Sequence, residues 1–333
     1  MTNASVWLTE KDVTGAIDLN AAIDALENVL KSEAQQQAEN MTKTHLMVGD
    51  NNAMHALGGA VHSLGVCGTK TWVNIDGKSS TMLLLFSLTD GACLAAIEAT
   101  ALGQMRTAAM TGLGTRWMAD QNITEMAIIG TGKQALPQIA ACLAVRLISK
   151  VRVFSRTPEK RKALIKAVEA EFPDLEVLNC ESLEDAVHNV PLITLCTNAT
   201  APFFSAEMAA KGAHINAVGA IVPARAEFSG DIFPRCSAIA VDTVAGVKAL
   251  SREFINYYED GAGNWEQVKP ISQLIADGYA RPADVDLTLF KAMGMGISDV
   301  AIAHEVYSRC AGSDNVHTLP ERRRQKLPLQ TIN

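Results

Sequence analysis

The stretch Ile128-Ile129-Gly130-Thr131-Gly132-Lys133-Gln134-Ala135 constrains the fold of this chain more than any other. It follows a short apolar run of strand type, Met126–Ile129, and opens a helical pattern. Glycine at 130 permits the tight turn from strand to helix. Glycine at 132 lets the backbone approach a pyrophosphate, and alanine at 135 lets the helix pack closely on the strand. The helix N-terminus offers unpaired N–H groups and a dipole that favour an anion. Pro137 removes an N–H only near the first turn, where the loss is smallest. Gly130, Thr131, Gly132, Lys133, Gln134 and Ala135 are therefore candidate residues for holding a dinucleotide cofactor.

The surrounding pattern supports that placement. Met126–Ile129, Val151–Phe154, Leu192–Cys196, His214–Val218 and Ala238–Val241 are five short apolar runs of the buried-strand kind. Helical stretches separate the first three, one opened by Thr157-Pro158-Glu159 and another by Ser182-Leu183-Glu184-Asp185. A hydroxyl at the N-cap, proline at the first position and acids in the first turn are helix-start signals. Strands alternating with helices imply a parallel sheet of right-handed βαβ units.

The first 119 residues read differently. Ile23, Leu26, Val29 and Leu30 share one helical face within residues 18–37, and five β-like runs follow: Thr44–Val48, Ala53–Leu57, Thr69–Ile75, Thr81–Ser87 and Ala92–Ile97. Asp76-Gly77 and Asp90-Gly91 lie between neighbouring runs and are hairpin signals. A mixed or antiparallel sheet flanked by helices is expected, closed by a helix over residues 101–119. A last, small-residue-rich helical pattern spans Leu289–Cys310. Arg322, Arg323, Arg324 and Lys326 beyond it read as a solvated tail.

The end of the second parallel strand bears on the choice of nicotinamide cofactor. A chain that binds NAD usually places an acid there for the ribose hydroxyls. Here the residues are Ser155-Arg156-Thr157-Pro158-Glu159-Lys160, with no acid at 155. Two hydroxyls and a guanidinium suit a 2′-phosphate. Ser155, Arg156, Thr157 and Lys160 are thus cofactor candidates, and NADP, with NADPH preferred over NADH, is the expected cofactor.

Composition excludes several classes. The chain of 333 residues has 29 Lys+Arg against 36 Asp+Glu, a net charge of −7, which argues against a nucleic-acid binder. Aromatics at 5% give no stacking platform for single strands. No apolar run reaches the ~18 residues of a membrane span, and Met1–Ala4 lacks a secretory layout. Seven scattered cysteines without a CxxC pair read as reduced, buried thiols rather than a disulfide framework or zinc site. A soluble, cytoplasmic enzyme without a metal is expected.

Taken together, these residues resemble the ornithine cyclodeaminase/mu-crystallin family. The resemblance runs through most of the chain. It rests on Gly68-Thr69-Lys70, Gly103-Gln104-Met105-Arg106-Thr107-Ala108-Ala109, the Gly130–Ala135 loop and Cys196-Thr197-Asn198-Ala199-Thr200. It continues through His214-Ile215-Asn216-Ala217-Val218-Gly219-Ala220 and Leu289-Phe290-Lys291-Ala292-Met293-Gly294. The implied fold is α/β, with a Rossmann-type parallel-sheet domain and a discontinuous α+β substrate and dimerisation domain. The division is expected at 1–119 with 297–333 against 120–296, in a homodimer.

Family members handle small amino acids or their imines. The resemblance implies that Lys70 and Arg106 hold the substrate carboxylate and are the catalytic pair, a chemistry that a guanidinium fork and an ammonium suit. Lys43 stands near the place of another substrate-binding arginine. Thr107 is implied near the cofactor phosphates. Thr197, Asn198, Val218 and Met293 are implied on the nicotinamide side, with Cys196 and Gly294 beside them among the cofactor residues. His45 and His55 alternate with apolar residues on adjacent runs; each is either a core histidine or a proton donor facing the cleft.

Cyclodeaminating members carry an aspartate two residues before the proline that follows the His-Ile-Asn-Ala-Val-Gly-like strand. This chain has Ile221-Val222-Pro223. Isoleucine cannot hold an amine, so NADPH-dependent reduction of a 2-imino acid or cyclic ketimine is expected, or the reverse amino-acid dehydrogenation. The alternatives are a cofactor- and ligand-binding carrier of the mu-crystallin kind and a cyclodeaminase-type lyase.

Overall fold

The computed structural model describes residues 5–49, 52–259, 261, 263–313, 316–320 and 326. Met1–Ala4 and the arginines 322–324 of the basic tail lie outside them. The chain begins with β1 (Val6–Leu8), α1 (Glu10–Ala16), α2 (Leu19–Ala34), β2 (Ala38–Asn40), β3 (Thr44–Val48) and β4 (Asn52–Val61). It continues through β5 (Val66–Ile75), β6 (Lys78–Ser87), β7 (Cys93–Glu98) and α3 (Thr100–Met118).

The hairpin between β5 and β6 turns on Asp76 and Gly77, which take φ of 49° and 76°. Two consecutive positive φ values make the tight turn that matches strand twist, so Asp-Gly sets the register here. Asp18 caps α2 by accepting from the Ala21 N–H at 2.9 Å, and Ile23, Leu26, Val29 and Leu30 are all buried.

The second half comprises β8 (Glu125–Ile129), α4 (Ala135–Leu143), β9 (Lys150–Phe154), α5 (Pro158–Glu171), β10 (Glu176–Asn179), α6 (Leu183–Val187) and β11 (Leu192–Leu195). Then come β12 (Ala213–Ala217), β13 (Cys236–Val241), α7 (Val244–Leu250), α8 (Arg252–Tyr258), β14 (Val268–Pro270) and α9 (Ile271–Ala276). The last elements are β15 (Leu287–Lys291), α10 (Gly296–Cys310) and β16 (His317–Thr318).

Two sheets result. The first has the order β16-β1-β7-β6-β5-β4-β2, with β3 paired to β4; it is antiparallel except for β1 beside β7. The second, β10-β9-β8-β11-β12-β15-β13-β14, is parallel throughout. The fold is α/β with a Rossmann-type sheet. Helix α3 lies between the sheets, packing on α2, α4, β12 and β15, and residues 108–115 of it are buried all round. One apolar cluster fills the first sheet with α2, α3 and α10; two others cover the faces of the parallel sheet. Of the cysteines expected in the core, Cys142 and Cys180 are buried and the rest half-buried.

The expected helix over Leu289–Cys310 is corrected. Leu287–Lys291 is a fully buried strand between β12 and β13, and the helix begins at Gly296. A strand buried on both faces reads as a continuous apolar run, so its periodicity cannot separate it from a buried helix. Gly294, with φ of 94°, breaks the backbone between them. Thr157 takes the N-cap place of α5, but its side chain makes no capping bond there, whereas Ser182 caps α6 through the Asp185 N–H at 3.0 Å. No helix among the described residues is long and apolar enough to cross a membrane.

Candidate active site

A cleft of about 1250 Å³ opens between the carboxyl ends of the parallel strands and the face formed by β5, β6 and α3. It exceeds the ~300–1,000 Å³ of an ordinary small-ligand pocket, which leaves room for two ligands side by side. Ligands of open parallel sheets enter at this edge, where the strand order reverses. Here that point is β8, with β9 on one side and β11 on the other.

At one end the walls are mostly backbone. Gly130, with φ of 115°, turns the chain from β8 towards α4, and a methyl group there would strike the Cys196 carbonyl. A methyl group on Gly132 would instead meet open space within the cleft. That bare stretch of backbone ahead of a nine-residue helix fits a pyrophosphate. Thr131, Lys133 and Gln134 line the same end, while Ala135 is buried behind it against the sheet. Pro137 falls in the first turn of α4, where no intrahelical N–H partner is lost.

Ser155, Arg156, Thr157 and Lys160 also line this end. The Thr131 hydroxyl donates to Ser155 Oγ at 3.2 Å, joining the two loops. Arg161 does its work from behind: it is buried, and its guanidinium donates to the Ser155 carbonyl at 2.7 Å and to Asn179 at 2.9 Å. Arg156 and Lys160 are left exposed on the rim.

At the other end the walls are side chains. Lys70 on β5 is only 4% exposed, yet its ammonium lies 2.6 Å from Asp299 Oδ1. Arg106 on α3 donates from Nε to the same oxygen at 3.1 Å. Asp299, in the first turn of α10, is fully buried, and its Oδ2 has no hydrogen-bond partner among the described residues. Burial lowers the Lys70 ammonium to about 8; Asp299 draws it back up and Arg106 pushes it down. Trp72 stacks its ring on His55 with centroids 4.8 Å apart and carries the Lys70 ammonium 5.2 Å above it.

Cys196, Thr197, Asn198, Val218, Met293, Gly294 and Thr107 also line the cleft. The structure thus brings every expected site residue to this wall except Ala135, Lys43, His45 and His55. Lys43 is half-buried beside Trp72, with its ammonium held below the ordinary value by burial and by Arg106. His45 is exposed on β3 and pairs across the strands with His55. His55 is half-buried behind Trp72, and burial, then Lys43 and His45, lower its basicity. Neither histidine sits in the core, because β3 and the far part of β4 form an outer edge of the first sheet.

The charges of this wall are one-sided. Lys70, Arg106, Lys133, Arg156, Lys160 and Arg225 line the cleft with no acid among its described lining residues, in a chain of net charge −7. The acids stand one layer back. Besides Asp299, Glu227 accepts from the loops after β11 and β12, and Asp242 accepts from the Met293 and Gly294 N–H groups at 2.8 and 2.6 Å. Sequence reasoning missed these acids, together with Trp72 and Arg225. Their one signal was a single acid inside an apolar stretch, as in Ile297-Ser298-Asp299-Val300-Ala301 and Ala226-Glu227-Phe228.

Comparison with known proteins agrees with this geometry. The model of the ornithine cyclodeaminase/mu-crystallin family matches residues 3–314. The chain belongs to that family. It is 30% identical over 230 residues to the Delta(1)-pyrroline-2-carboxylate reductase of Bacillus cereus, covering 68% of this chain and 70% of that one. It is also 30% identical over 322 residues to the alanine dehydrogenase of Archaeoglobus fulgidus, covering 93% and 96%. Among solved structures, an archaeal alanine dehydrogenase dimer with bound NAD superposes with a TM-score of 0.84 at 26% identity, over 92% of this chain and 96% of that one.

Proposed function

We propose that this family member is an NAD(P)-dependent oxidoreductase that reduces the C=N bond of a 2-imino acid or cyclic ketimine, with NADPH preferred, or runs the reverse amino-acid dehydrogenation. The observation that carries the reading is the meeting, in one acid-free cleft, of a glycine loop suited to phosphate and a braced Lys70–Arg106 pair suited to carboxylate. The names of the relatives, a pyrroline-carboxylate reductase and an alanine dehydrogenase, support the same chemistry.

In this reading Lys133 and the bare backbone at Gly132 hold the pyrophosphate, and Ser155, Arg156, Thr157 and Lys160 take the 2′-phosphate. Thr197, Asn198, Val218 and Met293 bound the reactive end, with Cys196 and Gly294 beside them, and Thr107 lies near the cofactor phosphates. The reduced nicotinamide, when bound, supplies the hydride. Lys70 and Arg106 fix the substrate carboxylate and so orient the C=N carbon, while the π pair of the bond returns to nitrogen. A substrate already protonated on nitrogen needs no strong acid nearby. Ile221 lines the cleft where the cyclodeaminating members carry their aspartate, so the wall offers no carboxylate to hold a second amine.

We further assign residues 1–119 with 297–333 to substrate binding and dimerisation, and 120–296 to the cofactor. The homodimer reading is supported by the apolar outer edge at Leu46, Met47 and Val48, which are 63%, 55% and 43% exposed.

The test is NADPH oxidation with cyclic ketimines, and with 2-oxo acids plus ammonia or methylamine. Turnover of at least one is expected. Tight NADPH binding without turnover on any substrate supports a carrier instead, and conversion of ornithine to proline without net cofactor change supports the lyase.

A further inference from the structure

Behind the wall of the cleft lies a carboxylate that does not line it and yet shapes it. Glu227 is fully buried. Its Oε1 accepts from the Thr197 N–H at 2.6 Å and from the Thr197 hydroxyl at 2.8 Å. Its Oε2 accepts from the Gly219 and Ala220 N–H groups at 2.8 and 3.0 Å. Each oxygen therefore takes two donors, which is the full capacity of an ionised carboxylate and leaves no place for a proton. The two loops that leave β11 and β12 at the cleft are tied together through this one side chain.

The surroundings hold Glu227 in place. Its own N–H donates to Glu253 Oε1 at 3.0 Å, and the Ser251 hydroxyl donates to Glu253 Oε2 at 2.7 Å. Lys291, also fully buried, donates to the Ala220 carbonyl at 2.6 Å and lies 3.9 Å from Glu253. Two carboxyl groups and one amine thus meet in this buried cluster, with Glu227 nearest the cleft loops.

Gly219 lines the cleft directly in front of that carboxylate, and a methyl group on it would collide with Thr197 and with Glu227 itself. The Gly219 backbone and the Thr197 residue are thus what stands between the carboxylate and the cleft. The field reaches the wall: burial and then Glu227 push the Cys196 thiol up to about 12.

A nicotinamide ring gains positive charge when it gives up hydride. Given the function proposed above, on which this inference rests, we propose that Glu227 is a positioning residue whose fixed negative charge favours the oxidised nicotinamide over the reduced one. It acts through Thr197 and Gly219 and touches neither cofactor nor substrate. For imine reduction, this lowers the energy of the state towards which the transfer proceeds.

The experiment measures the affinities of the purified full chain for NADPH and NADP⁺, by fluorescence and by calorimetry, in three forms. Glu227→Gln keeps the length and removes the charge; it is expected to weaken NADP⁺ about tenfold more than NADPH, a differential of ~1.4 kcal/mol. Glu227→Asp keeps the charge and shortens the reach, so it is expected to weaken both forms while leaving their ratio within about twofold of wild type. Equal losses of both forms in the Gln variant overturn the charge assignment and leave a structural residue only. Should the Gln variant fail to fold, Thr197→Val serves: it strips one donor from the carboxylate, leaves the charge less shielded and is expected to move the ratio the other way. An unmoved ratio there overturns the proposal as well. Failure of the unmodified protein to bind either cofactor defeats the proposed function, which separates the two results.

Discussion

The two ends of the cleft, to which the proposed function assigns a phosphate and a carboxylate, are built by different means. At the glycine-loop end the geometry is supplied by backbone, and the cations Arg156 and Lys160 are exposed side chains on the rim. At the Lys70 end the geometry is supplied by side chains, both locked on a buried aspartate. Exposed charges share their work with water and with one another, and each alone contributes little. A buried pair has no such substitute, so removing one partner leaves an uncompensated charge. The contrast predicts a steep gradient of mutational sensitivity along one cavity.

The largest effect is expected at Asp299. Asp299→Asn removes the anchor shared by Lys70 and Arg106, and should lower stability by about 3 kcal/mol and kcat/KM for the carboxylate substrate by roughly 10³-fold. Denaturant unfolding and steady-state kinetics check this. A variant with near-normal kinetics would show that the two cations position themselves. Arg106→Ala comes next, with a loss of about 10²-fold in kcat/KM and NADPH affinity kept within about twofold. Comparable losses in both would erase the division between the ends.

A pH profile sharpens the comparison further. Lys70 is protonated below about 8 and loses its charge above it, because burial has lowered it from the ordinary lysine range. KM for the carboxylate substrate should therefore be flat below about 8 and rise up to tenfold per unit above it. NADPH affinity, which the proposed function assigns to groups at the other end, should show no such limb. The smallest effect is expected at the rim: Arg156→Gln should weaken NADPH about fivefold and leave NADH unchanged, by competition titration. Equal losses would remove Arg156 from the 2′-phosphate.

The same contrast explains what could be read from residues alone. Gly130, Gly132 and Ala135 carry their meaning within six positions, because a turn is a local object, and the parallel sheet around them was legible for the same reason. The hairpin at Asp76-Gly77 was equally local. Lys70 and Arg106 came from the resemblance, but what braces them did not. Asp299 stands 229 residues from Lys70 in the chain, and only the packing of α10 against β4, β5 and α3 brings it there. Glu227 similarly looks like one acid among apolar neighbours until two loops close on it. His45 and His55 misled because alternation reports a pleated strand and not which face of the sheet another element covers.

The position of β15 bears on how the molecule is made. This strand enters between β12 and β13, which precede it in the chain, and α10 follows it directly onto the first sheet. Until residues 287–310 emerge, the parallel sheet lacks the strand that joins β12 to β13 and β14, and β4 and β5 lack their helical cover. Asp299 arrives on that same segment. A growing chain can thus form hairpins and single βαβ units, but its two halves must wait for one late insertion that closes both. Maturation is therefore expected to be all-or-none, with binding competence gained in a single step once that segment has been made.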